Sequence, residues 1–233
     1  MSDQNISKDK GSDVFQLFKS MVGIGLICAA LIAFVFQTTQ PRIKKLKAAA
    51  LEEAVFQVIP GMVQKKTYLL DEKGNIQIAK EGVTAGELIY AGYDNDGKLL
   101  GLAIQASGMG FADVIKVIYG YRPTTQKVIG FKVLDSKETP GLGDKIEKDE
   151  HFLTNFKALD VALAADGKTL QNEIKAVKQG QKKHEWEING ITGATISSRA
   201  IGAIFKESTQ KWMPTIVVHS NIFSNDTTLT HGH

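Results

Sequence analysis

The stretch ADVIKVIYGYRPTTQKVIGFKVLD, residues 112–135, contains two runs that are rich in β-branched and aromatic residues. Val, Ile, Tyr and Phe favour strands because their side chains pack well on a pleated surface. The segment RPTTQ between the two runs carries a proline and polar residues that are typical of a turn. The stretch therefore predicts two strands that pair as an antiparallel hairpin.

The same pattern occurs twice on the N-terminal side of this hairpin. DEKGN separates KTYLL from IQIA within residues 66–79, and DNDG separates ELIYAGY from KLLGLAIQA within residues 87–106. Each pair predicts a further hairpin, and a short strand is expected over 160–163. Towards the C-terminus the apolar spacing becomes helical. Successive hairpins with helices gathered at the ends predict an α+β fold, an antiparallel sheet with flanking helices.

An apolar segment near the N-terminus, MVGIGLICAALIAFVF at residues 21–36, contains no charged residue. With the apolar residues just before it, the segment provides roughly 20 positions, enough to cross a bilayer once. No small-residue cleavage site follows it, so we interpret it as an uncleaved transmembrane anchor rather than a signal peptide or a buried core helix. Lysine and arginine lie on both sides in nearly balanced numbers, so charge alone leaves the orientation of the chain open.

Composition excludes several classes of function. The 233 residues carry a formal net charge of +3, and no basic stripe with interleaved aromatic residues is present, which argues against nucleic-acid binding. The single cysteine, Cys28, lies inside the predicted anchor, so the chain offers no disulfide, no cysteine-ligated iron–sulfur cluster and no thiolate zinc site. No metal site is expected, and redox chemistry would require an organic cofactor.

The chain is predicted to consist of five parts. A helical pattern follows the anchor and ends at Pro60 and Gly61, and the last ten residues are polar. The parts are an N-terminal segment, the anchor, a linking helix, a folded domain and a tail expected to be disordered, with the bounds 1–13, 14–38, 39–61, 62–215 and 216–233.

A stretch rich in small hydroxyl residues, EINGITGATISSRAIGAIF at 187–205, places Thr192, Thr195 and two serines where a loop becomes a helix. Such hydroxyls suit an N-cap, because they accept bonds from the free N–H groups of the first turn. The same N–H groups and the helix dipole also favour a bound phosphate. The stretch by itself leaves both interpretations open.

A second loop, SKETPGLGDKIEKDEHF at 136–152, combines Pro140 with Gly141 and Gly143 around Leu142. Proline fixes one backbone dihedral, and glycine permits conformations that are closed to other residues. Two interpretations follow: a tight turn whose leucine fills the core, or a rigid loop that presents Leu142 and backbone amides to a flat ligand.

Together, ETPGLGDKIE at 138–147 and GITGATISSRA at 190–200 resemble the G subunit of the Rnf-type ion-translocating electron-transport complex. A near relative is the C subunit of the sodium-pumping NADH:quinone oxidoreductase. The resemblance extends from the anchor to the late threonine motif. The chain lacks the tryptophan of the GLW turn associated with the quinone reductase subunit, which favours the Rnf subunit.

This resemblance implies FMN, joined covalently through its phosphate to Thr195, the last threonine of the [ST]GAT element. Asn189 stands where the family often has an aspartate, and SGMGFADV at 107–114 matches the family's glycine-rich turn in part. Other residues implied near the phosphate are Thr192, Gly193, Ala194, Ser197 and Ser198. Residues implied at the isoalloxazine ring are Glu138, Thr139, Leu142 and Gly143.

The function implied by the resemblance is electron transfer within a membrane complex that couples it to ion translocation. The chain would be a subunit of a translocase without turnover of its own. Its partners would be other membrane subunits, the lipid bilayer and the flavin transferase that attaches FMN. The location implied is a bacterial inner membrane, with the N-terminus in the cytoplasm and the FMN domain in the periplasm or its equivalent.

The residues themselves allow two other functions. The domain could be a membrane-tethered interaction module that carries no flavin. Alternatively, Thr195 could be the nucleophile of a hydrolase, with His184 as the nearest base in sequence.

Overall fold

The computed structural model describes residues 6–71, 74–79, 83 and 86–224, with side chains described from residue 14 onward. The chain divides into two units, Met1–Ala50 and Leu51–His233. Helix α1, Ile6–Val58, supplies the described part of the first unit and contains Pro41.

Among the described residues, α1 is the one helix that is long and apolar enough to cross a membrane. Its most apolar window has a mean hydropathy of 2.2, and none of that window is buried. The predicted anchor falls within this helix. Proline normally interrupts a helix, but here the predicted anchor and the predicted linking helix form one continuous α-helix that contains Pro41. This helix, α1, ends at Val58, shortly before Pro60 and Gly61.

The second unit is built on a seven-stranded antiparallel sheet. Its strands are β1 Gln64–Leu70, β2 Ile76–Ile78, β3 Glu87–Tyr93, β4 Leu99–Met109, β5 Val114–Arg122, β6 Lys127–Asp135 and β7 Leu159–Asp160. Their spatial order is β2-β1-β3-β4-β5-β6-β7. The pairs β1–β2, β3–β4 and β5–β6 are the three predicted hairpins, so the α+β prediction is confirmed.

The strand predicted over 160–163 is wrong in its bounds, because β7 is Leu159–Asp160. After β7 the chain turns toward Gln126, whose backbone carbonyl accepts from Val161 N–H and whose side-chain Oε1 accepts from Leu163 N–H at 2.8 Å. These hydrogen bonds to Gln126 take the place of a regular strand ladder with β6. Leu163 forms only an isolated bridge, with Leu170.

The remaining elements of the second unit follow β6 in sequence. They are α2 Lys145–Lys148, α3 Glu150–Leu153, a 3₁₀ turn Thr154–Lys157, β8 Lys175–Val177, β9 Glu187–Asn189, α4 Thr195–Val218 and α5 Ser220–Phe223. Strands β8 and β9 form a separate parallel pair.

Both faces of the sheet are buried, which explains the almost continuous apolar runs in its central strands. Leu102 and Ile104 of β4 belong to the main core, where they share a cluster with α4 side chains such as Phe205. Ala103, which points the other way, packs with Val58 at the end of α1. The alternation follows from the period of two in a strand.

The folded domain ends later than predicted, and the expected tail from residue 216 is wrong for its first part. Helix α4 continues to Val218, and Phe223 of α5 is 1% exposed. The Phe223 ring packs edge-on against Tyr68, and Tyr93 Oη donates to the Phe223 carbonyl at 3.1 Å. Buried apolar contacts therefore hold this segment on the sheet; residues 225–233 lie outside the described part of the chain.

Candidate functional site

The first turn of α4 is built by a tight turn rather than by a hydroxyl N-cap. Ala194 is the N-cap residue, and no side-chain cap bond is formed there. Gly193 has φ 85°, a left-handed conformation that glycine adopts without penalty. Ser198 closes the turn, because its buried hydroxyl accepts from Ile191 N–H at 3.1 Å and donates to the Ala194 carbonyl at 2.9 Å. The Thr195 side chain is exposed at the start of the helix.

The loop at 136–144 turns back on itself and presents its leucine outward. Leu142 N–H donates to the Thr139 carbonyl at 3.1 Å, and the side chain of Leu142 is 51% exposed. The interpretation of Leu142 as a core-filling residue is therefore wrong. The core is filled by Ile146, one turn further on.

The structure brings the two predicted motifs together, although they are about fifty residues apart. A cavity of about 200 Å³ lies between the 136–144 loop and the first turn of α4. It is lined by Phe111, Glu138, Thr139, Leu142, Gly143, Gly193, Ala194, Thr195, Ile196 and Ser197. We call it the apolar cavity, because exposed Leu142, Phe111 and Ile196 lie at its rim.

Phe111 and Ile196 were missed by the sequence analysis. They are 63% and 55% exposed, and with Leu142 they form one group of exposed large apolar side chains around the same cavity, which is the arrangement that marks a binding surface. Phe111 stands in the turn after β4, within the SGMGFADV stretch that had matched the glycine-rich turn only in part. Ile196 directly follows Thr195, where the helical pattern alone gave it no special role.

A second cavity of about 280 Å³ lies on the other side of Thr195. Its lining includes Lys178, Arg199 and Thr192, so we call it the basic cavity. Arg199 stands one turn after Thr195, and within the described part of the chain it forms no ion pair. The four-residue spacing in a helix could have predicted from the sequence that Arg199 lies beside Thr195. Lys178, which directly follows β8, is brought to the cavity by the fold and could not be predicted in this way.

Glu138 and Ser197 use their polar groups within the protein. The Glu138 side chain is 5% exposed, and its Oε1 accepts from Phe111 N–H at 2.8 Å and from Ala112 N–H at 3.0 Å. Its Oε2 accepts from the Ser197 hydroxyl. Both residues line the apolar cavity, so their contact with a ligand stays a prediction, while their contact with each other is a feature of the fold.

The strand that leads into the threonine motif is held by two asparagines. Asn155 is buried, its Nδ2 donates to the Asn189 carbonyl at 3.0 Å, and its Oδ1 accepts from Asn189 N–H at 3.0 Å. The Asn189 side chain accepts from Gly180 N–H at 2.7 Å. Because an acceptor oxygen suffices for that bond, asparagine does here what an aspartate would do.

The hydrolase alternative finds no support in the geometry. A threonine nucleophile needs a base within hydrogen-bond reach. His184 instead stacks on Trp186, with ring centroids 4.3 Å apart, and it lines neither cavity beside Thr195. The carboxylate that does line the apolar cavity, Glu138, is already held by three donors.

Known proteins share both the sequence family and the fold of the second unit. The model of the FMN-binding domain family matches residues 110–210, a range that contains both motifs and all the lining residues of the two cavities. NqrC of Shewanella oneidensis shares the fold with a TM-score of 0.53 at 19% identity, over 70% of this chain and 84% of that one. The C subunit of the Na(+)-translocating NADH-quinone reductase of Parabacteroides distasonis has a TM-score of 0.59 at 16% identity, over 75% of this chain and 96% of that one. The second unit therefore contains a domain of the FMN-binding domain family.

The G subunit of the ion-translocating oxidoreductase complex from Shewanella piezotolerans is 32% identical over 178 residues, 75% of this chain and 78% of that one. The chain belongs to this family, as its motifs had indicated. The Methanosarcina acetivorans counterpart is 28% identical over 192 residues, 81% of this chain and 89% of its own. The described residues contain one helix that is long and apolar enough to cross a membrane. Together with membership of this family of complex subunits, that helix indicates a single-pass membrane protein.

Proposed function

We propose that this chain is a membrane-anchored flavoprotein subunit that carries FMN as a phosphoester on Thr195 and passes electrons within an ion-translocating complex. The proposal rests on the position of Thr195 between an apolar cavity and a basic one. FMN has the same two ends, a flat ring with a large apolar face and an anionic phosphate. Relatives named as subunits of an ion-translocating oxidoreductase complex supply the larger process.

The apolar cavity suits the isoalloxazine ring. Leu142, Phe111 and Ile196 surround it from three separate segments. Their exposure costs free energy that a bound ring would recover, on the order of 1.5–3 kcal/mol for each side chain that becomes fully buried. Thr139 and Gly143 would contribute mainly their backbone at the same cavity.

The turn at Thr195 suits the phosphate. The first N–H groups of a helix have no intrahelical acceptor, and α4 is 24 residues long, so its N-terminus favours an anion. Arg199 and Lys178 add positive charge at the basic cavity, where the Thr192 hydroxyl is also available. Gly193 has no side chain and Ala194 has only a methyl group, so phosphate oxygens could approach the backbone there.

Attachment would take place in a flavin transferase, from a donor in which the FMN phosphate is joined to a second phosphate group by an anhydride bond. The Thr195 oxygen would form the bond to the FMN phosphorus while the bond from that phosphorus to the bridging oxygen breaks. The second phosphate group would leave, and the hydroxyl proton would pass to a base of the transferase. Bound FMN supplies one- and two-electron transfer. The chain's own residues hold the ring in one place, which fixes the distance to partner carriers.

The proposal is tested on the full-length chain, purified in detergent after co-expression with a flavin transferase. A denatured protein band that keeps flavin fluorescence is the expected result, since only a covalent bond survives denaturation. A colourless protein without fluorescence would contradict it and would favour an interaction module. Preparation without the transferase is the control, because it should give the same protein without fluorescence.

We further propose that the N-terminal segment at 1–13 lies in the cytoplasm, and that the domain lies on the opposite side of the membrane. The cluster that follows the span, Arg42, Lys44, Lys45 and Lys47, argues against this orientation, and Lys19 before the span argues for it. Long domains translocate largely regardless of such charges. The other complex subunits and the lipid bilayer would then contact the chain at and beyond its anchor.

Protease added to intact spheroplasts distinguishes the two orientations. The domain from about Leu51 onward should be digested without lysis. Digestion only after the membrane is opened would reverse the topology and place the flavin on the cytoplasmic side.

A further inference from the structure

Three chain segments that form the apolar cavity meet at one buried carboxylate. Glu138 belongs to the 136–144 loop, and its Oε1 accepts from Phe111 and Ala112 N–H in the turn after β4. Its Oε2 accepts from the Ser197 hydroxyl in the first turn of α4. The segments thus joined are those that carry Leu142, Phe111 and Thr195. We call this arrangement the Glu138 clasp.

Two glycines enclose the clasp. A Cβ on Gly143 would stand 2.6 Å from Glu138 Oε2 and 2.9 Å from Ser197 Oγ, and one on Gly110 would stand 2.5 Å from Glu138 Oε1. Any side chain at either position would therefore displace the carboxylate. Glycine at both sites is what allows Glu138 to be almost completely buried beside the cavity.

A buried carboxylate is expensive for stability alone. Its desolvation is offset only when donors satisfy it, and an apolar residue of similar size often serves stability as well. Bonds to a charged acceptor are shorter than neutral ones and roughly twice as strong. These properties suit a residue that must hold three segments at fixed distances.

We propose that Glu138 is a positioning residue that assembles the flavin site before the cofactor arrives, and whose negative charge beside the cavity lowers the reduction potential of the bound flavin. The inference rests on the proposed function and deepens it. Glu138 acts through the segments it joins, and its charge opposes the negative charge that electrons bring to the ring. This role replaces the expectation from the sequence that Glu138 is simply a contact to the ring.

Two substitutions separate the charge from the connection. Glu138→Gln keeps an oxygen for the two backbone N–H groups and can donate to Ser197 Oγ, but it removes the charge. Ser197→Ala keeps the charge and removes the bond to α4. Glu147→Gln is the matched control, because Glu147 is an exposed carboxylate of α2 that lines neither cavity.

The clasp itself is tested by hydrogen exchange on the full-length chain made without a flavin transferase. In Glu138→Ala, the amides of Phe111 and Ala112 should exchange at least roughly tenfold faster than in the Glu147→Gln control. Exchange within about twofold of the control would overturn the clasp. If Glu138→Ala does not fold, Glu138→Asp, whose carboxylate is one methylene shorter and is drawn back from both N–H groups, is judged by the same criterion.

The charge is tested by the midpoint potential of the flavin-loaded chain. Glu138→Gln should move the potential to a more positive value by a larger shift than Ser197→Ala produces, and Glu147→Gln should leave it in place. A purely structural role would leave the potential of Glu138→Gln at the wild-type value, because that variant keeps the connections, and that result would overturn the electrostatic part. Failure of the wild-type chain to take up flavin would instead refute the proposed function, while the exchange measurement would still decide the clasp.

Discussion

Removal of the Asn155 side chain should loosen the strand that presents the threonine motif. In the native chain Asn155 satisfies both backbone groups of Asn189 in β9, at 3.0 Å each. It also donates to the Phe152 carbonyl at 2.9 Å and accepts from Lys182 Nζ at 3.2 Å. Asn155→Ala deletes these bonds together.

The expected loss follows from the groups left without partners. An unsatisfied buried donor or acceptor costs about 1–3 kcal/mol, so the N–H and C=O of Asn189 together give about 2–6 kcal/mol. For a folded unit of 150–250 residues, 1 kcal/mol corresponds to a shift in Tm of about 2–4 °C. Asn155→Ala should therefore lower Tm by about 4–24 °C.

The assay is thermal unfolding of the full-length chain in detergent, followed by near-UV circular dichroism. Asn155→Asp should fall between the wild type and Asn155→Ala, because it keeps the acceptor for Asn189 N–H and loses the donor. Asn221→Ala, an exposed asparagine of α5, is the matched control and should leave Tm unchanged. A Tm of Asn155→Ala within about 2 °C of the control would refute the reasoning, because it would correspond to less than about 1 kcal/mol.

Three further predictions concern the site and its support. Leu142→Asp should keep the covalent adduct but shift the flavin absorption and reduction potential, and an unchanged spectrum would mean that the leucine does not contact the ring. Asn189→Asp should match the wild type in Tm and flavin incorporation, because an acceptor for Gly180 N–H remains, whereas Asn189→Ala should lose about 1 kcal/mol. Lys183 N–H donates to Glu187 and lowers the pKa of its carboxyl below 4.5. The resulting stability is present above about pH 4.5 and is lost as pH falls through the lower folded pKa. Glu187→Gln should flatten this acid limb in pH-dependent unfolding, and an unaltered limb would contradict the assignment.

Local signals explain what the sequence could predict. The hairpins depend on β-branched runs and on turn residues between them, all within about twenty positions. The start of α4 and the end of α1 are marked in the same way, by glycine and proline. The two candidate motifs were found because each is short and contiguous.

Long-range contacts explain what the sequence left undecided. Whether Leu142 fills the core or faces outward depends on how the 136–144 loop meets α4, which no local pattern encodes. The extent of the domain beyond residue 215 depends on Phe223 reaching Tyr68 and Tyr93. The structural role of Glu138 depends on amides of a turn more than twenty residues away.

The most direct test of the account is the intact mass of the chain after co-expression with a flavin transferase, measured for wild type, Thr195→Ala and Thr192→Ala. Thr192 is the matched control, because it is an exposed hydroxyl of the same motif that also lines the basic cavity. Wild type and Thr192→Ala should both gain the mass of FMN less one water, and Thr195→Ala should gain nothing. An adduct that persists on Thr195→Ala, or that disappears only in Thr192→Ala, would contradict the assignment of Thr195.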